Sequence, residues 1–149
     1  MAIIRKFRPA DASEVSNVIR KTLQISNLAD YSKAQINFLC NYFKPTKINQ
    51  LAKKRFVLVA SVNNRIVATG SLEEDQLYTI FVSPLFQKQG IGKKLIKFLE
   101  KKAKINKIKA LKLKSSLTGT KFYSKLGYES IKKLKSKIIG DQILMRKVI

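Results

Sequence analysis

Three closely spaced runs of β-branched and aromatic residues, between residues 55 and 82, constrain the fold more than any other feature of this 149-residue chain. The first two runs, 55–62 and 65–70, are separated only by Asn63-Asn64, and asparagine tolerates the positive φ that a tight hairpin turn needs. The third run covers residues 77–82. This spacing predicts an antiparallel meander of three strands.

Helical patterns lie on both sides of this meander. The capping-box spacing Asp11-x-x-Glu14 predicts a helix start, because apolar residues follow it at helical intervals. Ser32-x-x-Gln35 repeats the start signal, and Pro45 is expected to end or kink that second helix. The other predicted elements are strands at 3–8, 110–114, 128–131 and 142–149, an amphipathic helix at 90–103, and a short helix at 120–126 that ends at Gly127.

The order of these elements predicts an α/β (α+β) fold, in which helices cover the faces of a strand-rich sheet. The chain shows neither an internal repeat nor a linker. A chain of about 150 residues is long enough to bury its own core. One domain spanning residues 1–149 is therefore expected.

The cysteine and histidine counts exclude several classes of protein. One cysteine cannot form an intrachain disulfide, and without histidine a zinc site of thiolate and imidazole ligands is disfavoured. The N-terminal residues include charges, and no window approaches the roughly 18 apolar residues that a membrane span needs. We expect a cytoplasmic protein without a metal, a signal peptide or a membrane span.

Basic side chains outnumber acidic ones by 31 to 9, which gives a formal net charge of +22. Residues 76–149 carry 19 of the basic and only 3 of the acidic side chains, so the positive charge is concentrated in the second half. Such a field favours polyanions, for example nucleic acid or a phosphate-rich cofactor. Because 25 of the basic residues are lysines in an isoleucine-rich chain, a general composition bias explains the charge equally well.

A glycine-containing loop joins the third strand of the meander to the predicted helix at 90–103. Main-chain N–H groups at the start of a helix have no internal partner, and the aligned peptide dipoles add positive potential, so such a turn can bind phosphate. Gly90 and Gly92 leave room for an anion to approach the backbone. A Gly-x-Gly pair alone is common near helix starts, and the third glycine of the dinucleotide-binding fingerprint is missing.

Two motifs together are more specific than this loop. Gln87-x-x-Gly90-x-Gly92 follows the strand that ends at Val82, and the segment 122–128 reads Phe-Tyr-x-x-Leu-Gly-Tyr. The pair resembles the GNAT acetyltransferase superfamily. The resemblance implies a mixed, mostly antiparallel sheet whose fourth and fifth strands splay apart to admit the pantetheine arm of acetyl-CoA. It also implies an N-acetyltransferase, monomeric or homodimeric, in which a primary amine attacks acetyl-CoA directly in a ternary complex.

The same resemblance assigns roles to residues around the cofactor. The backbones of Phe81 and Val82 are expected to bond the pantetheine arm, with the Val82 N–H also serving the thioester oxygen. Ser116 and Tyr123 are expected to flank the thioester. The main-chain amides expected to hold the pyrophosphate belong to Gln87, Lys88, Gln89, Gly90, Ile91, Gly92 and Lys93.

Tyr123 is the candidate general acid, because a phenol can donate a proton to the departing thiolate. The alternative is that Tyr123 only packs the short helix onto the sheet. The base is less clear, since some relatives use a glutamate on the fourth strand where this chain has Gln76. Glu74 or Asp75 is the candidate base, acting through water, although an acidic turn is also typical of a solvated surface.

The sequence is also consistent with a second class of function, the binding of nucleic acid. Lys94, Lys97, Lys101 and Lys104 recur along one face of the predicted helix at 90–103. This stripe is consistent with a basic nucleic-acid-binding protein, or with an acetyltransferase that acts on a charged RNA. Few aromatic residues are interleaved with these lysines, which argues against a pure single-strand binder.

Overall fold

The computed structural model describes residues 1–149 and contains seven strands and five α-helices. The strands are β1 (Ile3–Lys6), β2 (Phe56–Val62), β3 (Arg65–Glu73), β4 (Gln76–Val82), β5 (Ala110–Ser116), β6 (Glu129–Leu134) and β7 (Gln142–Val148). The helices are α1 (Ala12–Ile25), α2 (Lys33–Tyr42), α3 (Pro45–Ala52), α4 (Ile91–Ile105) and α5 (Thr120–Lys125).

All seven strands belong to one sheet, in the order β1-β2-β3-β4-β5-β7-β6. Only β4 and β5 run parallel, and every other neighbouring pair is antiparallel. The predicted meander is confirmed as β2, β3 and β4. Asn63 and Asn64 form its first turn with φ of 51° and 63°, as the two-residue hairpin requires. The predicted mixed, mostly antiparallel fold class is thus confirmed.

Helices cover both faces of this sheet, as expected. Successive residues of a strand point to opposite faces, so along β2 Leu58 packs in one core and Val59 in the other. The core that contains Leu58 is built mainly against α4, whose Leu95 and Leu99 are fully buried. The core that contains Val59 is closed by α1, α2 and α3. Truncation of Leu99 to alanine should cost about 2–5 kcal/mol of stability.

The first two helix starts differ in how they are capped. Ser32 and Gln35 form the predicted capping box, with Ser32 Oγ accepting from the Gln35 N–H at 3.1 Å and Gln35 Oε1 accepting from the Ser32 N–H at 2.9 Å. The equivalent prediction for Asp11 is wrong, although α1 does begin at Ala12. The Asp11 carboxylate accepts two bonds from the Arg5 guanidinium, at 2.8 and 2.9 Å, so it does not cap the helix.

The segment after α2 contains a helix that the sequence pattern did not predict. Helix α2 ends at Tyr42, and Pro45 opens α3 at its first position instead of only terminating α2. Proline suits this position because its fixed φ is helical and its missing N–H would have no partner there. Ile48 and Leu51 of this short helix are buried.

Candidate active site

Strands β4 and β5 separate and open a cleft between them. They are in register only at Gln76 and Lys112, next to a main-chain bond from the Lys112 N–H to the Asp75 carbonyl at 3.0 Å. Beyond that pair, Thr79 has a φ of 54° at a register irregularity between β3 and β4, and a bulge of this kind bends a strand. The cleft has a volume of about 830 Å³, within the range of small-molecule sites.

The loop at one end of this cleft presents a row of free amides. None of the seven N–H groups from Gln87 to Lys93 donates a hydrogen bond within the protein. Lys88 and Gly90 have φ of 62° and 83°, and Gly90 is the N-cap of α4. Alternation of right- and left-handed residues turns successive N–H groups to one side, which makes a binding site for anions.

Gly92 lies where the loop meets the cleft wall. A Cβ on this residue would lie 3.0 Å from Phe122 Cζ and 3.4 Å from Val82 Cγ2. Any larger side chain would therefore displace the Phe122 ring or the Val82 side chain. This close approach explains why the position requires glycine.

Side chains fix the loop to the end of β4. Gln87 Nε2 donates to the Val82 carbonyl at 2.9 Å and to Ser26 Oγ at 3.0 Å. The buried Thr22 hydroxyl of α1 also lies 3.3 Å from the Val82 carbonyl. The Gln87 side chain thus positions the loop, while its N–H remains free for a ligand.

The register of β3 and β4 determines which way the backbone groups of Val82 and Phe81 point. The Ser83 N–H donates to the Val67 carbonyl at 2.7 Å, so Ala68 and Val82 form a non-hydrogen-bonded pair of the antiparallel ladder. The N–H and C=O of Val82 therefore point away from β3, toward the cleft. The same alternation turns the backbone groups of Phe81 toward Thr69, which corrects the expectation that the Phe81 backbone faces the cofactor. Phe81 lines the cleft with its ring.

Tyr123 and Ser116 meet on the β5 side of the cleft. A Cβ on Gly119 would lie 3.0 Å from Ser116 Oγ and 3.7 Å from Tyr123 Cε2, so both side chains adjoin the same glycine. The Tyr123 ring also makes edge contacts with Phe122 and Tyr128, at centroid distances of 5.1 and 6.2 Å. Burial raises the pKa of the Tyr123 phenol, so the hydroxyl keeps its proton at neutral pH.

The candidate bases do not lie with these residues. Glu74 is in the turn between β3 and β4, with a φ of 55°, and Asp75 Oδ1 lies 3.7 Å from Lys112 Nζ with about half of its side chain exposed. Neither residue lines the cleft, so neither belongs to the candidate site. Gln76, the position where some relatives have glutamate, is 8% exposed and does line the cleft.

A connection across the top of the cleft was not predicted. Asp30, between α1 and α2, accepts from the Thr118 N–H at 2.9 Å and from the Thr118 hydroxyl at 2.7 Å. Its neighbour Tyr31 packs against Gly140 in the loop between β6 and β7, where a φ of 86° and the Tyr31 ring both require glycine. The roof of the cleft, as we call it, consists of these three segments: the α1–α2 loop, the segment after β5 that contains Thr118, and the loop between β6 and β7. No sequence signal marks it, because the three segments are remote along the chain.

The charged side chains of the cleft are all basic. Lys88 and Lys93 lie beside the free amides, and Arg55 and Lys114 line other parts of the wall. No group of three or more His, Cys, Asp or Glu side chains is arranged to hold a metal ion. None of the five helices is long and apolar enough to cross a membrane.

Comparison with known proteins agrees with this geometry. The family model described as "Acetyltransferase (GNAT) domain" matches residues 27–147. The chain is 25% identical over 129 residues to the uncharacterized N-acetyltransferase YafP of Escherichia coli, covering 87% of this chain and 82% of YafP.

Solved structures share the fold at lower identity. A GCN5-related N-acetyltransferase from Rhodopseudomonas palustris superposes with a TM-score of 0.94 at 21% identity, covering 100% of this chain and 96% of the other. The PaiA N-acetyltransferase from Thermoplasma acidophilum, solved with coenzyme A, gives a TM-score of 0.86 at 20% identity, with coverage of 100% and 99%. The chain therefore belongs to the GNAT acetyltransferase family, and it is an acyltransferase whose co-substrate is acetyl-CoA.

Proposed function

We propose that this protein transfers the acetyl group of acetyl-CoA to the primary amine of a second substrate by direct attack in a ternary complex. The observation that carries the proposal is the row of seven free amides from Gln87 to Lys93, which continues from the cleft-facing N–H of Val82. The amides suit a pyrophosphate, and the unpaired edge of β4 suits an extended pantetheine arm. The two features lie end to end, so one elongated ligand can occupy both.

The chain's own residues supply three roles for the transfer. The Val82 N–H binds the thioester oxygen, where negative charge develops. The amine nitrogen forms a bond to the acetyl carbon while the bond from that carbon to sulfur breaks. Tyr123 gives its phenolic proton to the departing thiolate and recovers a proton from the new amide nitrogen through water, so that the products are the acetylated amine and free CoA thiol.

No carboxylate lines the cleft, the Asp30 carboxylate of the roof is already bonded to Thr118 and Asn27, and the chain contains no histidine to deprotonate an incoming ammonium. We therefore propose that the acceptor amine loses its proton to solvent before it reacts. Rate should then follow the fraction of uncharged amine, rising about tenfold per pH unit below the pKa of the acceptor.

The test of this function combines binding and turnover. Calorimetry should detect acetyl-CoA binding, and release of free thiol should depend on an added amine. Initial rates measured against both substrates should give intersecting lines, as expected when both occupy the enzyme together. Parallel lines and a stable acetyl-enzyme would contradict direct transfer.

One observation favours binding of nucleic acid as an additional property. Lys94, Lys97, Lys101 and Lys104 are exposed on α4, and the only carboxylate of this helix, Glu100, is already bonded to Lys147 and Tyr128. The lysines of this face thus have no acidic partner on their own helix. A polyanion such as nucleic acid would supply the negatively charged partner for these lysines.

A further inference from the structure

We propose that the acceptor is a small aromatic monoamine, a molecule with a single primary amine attached to an aromatic ring directly or through a short chain. This inference rests on the proposed function, because it assigns the second substrate of that reaction. Three features carry it: the aromatic wall of the cleft, the absence of carboxylates, and the roof.

Aromatic rings line the cleft on the side of α1 and α2. Tyr42, Phe43 and Phe81 form a chain of edge-to-face contacts, with centroid distances of 5.0 and 6.1 Å, which we call the aromatic wall. Phe38, one turn before Tyr42, lines the same cleft and is still 46% exposed. A flat ring would bury this surface and make aromatic contacts of its own.

The charges of the cleft disfavour a second ammonium group. Arg55 is held by Glu73 at 3.0 Å and by the Thr79 hydroxyl at 3.3 Å, and it stacks on Tyr78 at 4.1 Å, so it is engaged within the protein. Lys114 adds a further positive charge, and no carboxylate lines the cleft to balance another cation. A diamine or polyamine would have to desolvate its second ammonium beside the Lys114 ammonium, with no free carboxylate in the cleft wall to pair with it.

The roof limits the size of the acceptor. The bonds between Asp30 and Thr118 link the α1–α2 loop to the segment after β5, and Gln35 Nε2 donates to the Lys137 carbonyl at 3.2 Å, which ties α2 to the loop between β6 and β7. The cleft volume of about 830 Å³ must hold the pantetheine arm as well as the acceptor. A ring with a short amine fits this remaining space better than a side chain presented by a folded protein surface.

Matched acceptors test separately the need for an aromatic ring, the exclusion of a second ammonium group and the limit on size. With kcat/KM expressed per uncharged amine, so that the lower pKa of benzylamine is removed from the comparison, benzylamine should be acetylated at least about fivefold better than cyclohexylmethylamine, which lacks the aromatic ring. The kcat/KM for benzylamine should also be about tenfold above the value for 1,4-bis(aminomethyl)benzene, which adds a second ammonium to the same ring. The value for the diamine is first divided by two, because it carries two amines. A lysine-containing peptide and spermidine should react at background rate.

A matched pair of phenylalanine variants tests the wall. Phe38 and Phe98 are both 46% exposed, but only Phe38 lines the cleft. Phe38→Ala should raise the KM for benzylamine about three- to tenfold and leave the affinity for acetyl-CoA unchanged. Phe98→Ala should change neither value.

Contrary results would show whether the acceptor assignment fails alone or the proposed function fails with it. Equal or faster acetylation of cyclohexylmethylamine, the diamine, spermidine or the peptide would overturn the aromatic monoamine assignment while leaving acetyl transfer intact. Binding of acetyl-CoA with no transfer to any amine in the set would overturn the same assignment. Failure to bind acetyl-CoA in calorimetry would instead overturn the proposed function.

Discussion

Asp30 accepts two hydrogen bonds from Thr118, one from its N–H at 2.9 Å and one from its hydroxyl at 2.7 Å, and these bonds join opposite walls of the cleft. Asn27 Nδ2 donates to the same carboxylate at 3.1 Å and orients it. The two cleft walls belong to segments 88 residues apart in the chain. Their connection therefore depends on one side chain in the α1–α2 loop.

We expect Asp30→Ala to loosen the roof. Loss of both bonds to Thr118 should lower the free energy of unfolding by about 1–2 kcal/mol and raise the KM for the amine several-fold. Asp30→Asn keeps one oxygen acceptor and should fall between the wild type and the alanine variant. Unchanged kinetics with both variants would show that the roof plays no part in binding the acceptor.

Tyr123→Phe should lower kcat by about 100-fold, because the ring is kept and only the proton donor is lost. The affinity for acetyl-CoA should be unchanged in calorimetry. Since burial raises the pKa of Tyr123, its acid form should persist through pH 9, so the wild type should show no loss of kcat from this group between pH 7 and 9. A kcat within about threefold of wild type, with unchanged melting, would exclude Tyr123 as the acid.

Gly92→Val should abolish or strongly weaken acetyl-CoA binding. The new side chain would collide with the side chains of Phe122 and Val82 and displace the cleft wall beside the free amides. Lys97→Ala, an exposed change on the same helix, is the control and should bind acetyl-CoA normally. Circular dichroism must first establish that the valine variant is folded, and wild-type affinity in a folded variant would remove the loop from the cofactor site.

Gln76→Glu should supply the base that the cleft lacks. A carboxylate at this cleft-lining position should raise kcat/KM for an alkylamine by about tenfold or more at pH 7. The gain should shrink as pH approaches the pKa of the amine, because the uncharged amine then forms without help. Some stability should be lost, since the position is only 8% exposed and a charged group is costly there. An unchanged pH profile would contradict the idea that deprotonation of the acceptor limits this enzyme.

Any binding of nucleic acid should weaken steeply with salt and show little sequence preference, because lysine contacts to phosphates release counterions. Titrations of one duplex and one single strand at several ionic strengths measure the slope. Charge reversal by Lys97→Glu with Lys101→Glu should reduce affinity and leave acetylation of a small amine unchanged. Sequence-selective binding that resists salt would instead indicate a dedicated nucleic-acid protein.

The sequence by itself determined most of the secondary structure and the location of the glycine-containing loop before α4. The Asn63-Asn64 hairpin, the Ser32 capping box and the left-handed Gly127 all follow from local chemistry, since each depends on residues within a few positions of one another. The two motifs around Gly90 and Tyr123 could be recognised for the same reason, because each is a short, contiguous segment. The third helix was missed because Pro45 serves equally well as the end of one helix and the start of another.

Only the tertiary structure decided which residues share the cleft. Glu74 and Asp75 were attractive as isolated acids, but the turn that carries them leaves Asp75 beside Lys112 and keeps both residues out of the cleft. Phe81 and Val82 are neighbours in sequence, yet the strand register turns their backbone groups to opposite edges. The aromatic wall joins Tyr42 and Phe43 to Phe81, and the roof joins the α1–α2 loop to Thr118 and Gly140. Such contacts depend on strand register and on long-range packing, which a local sequence pattern does not encode.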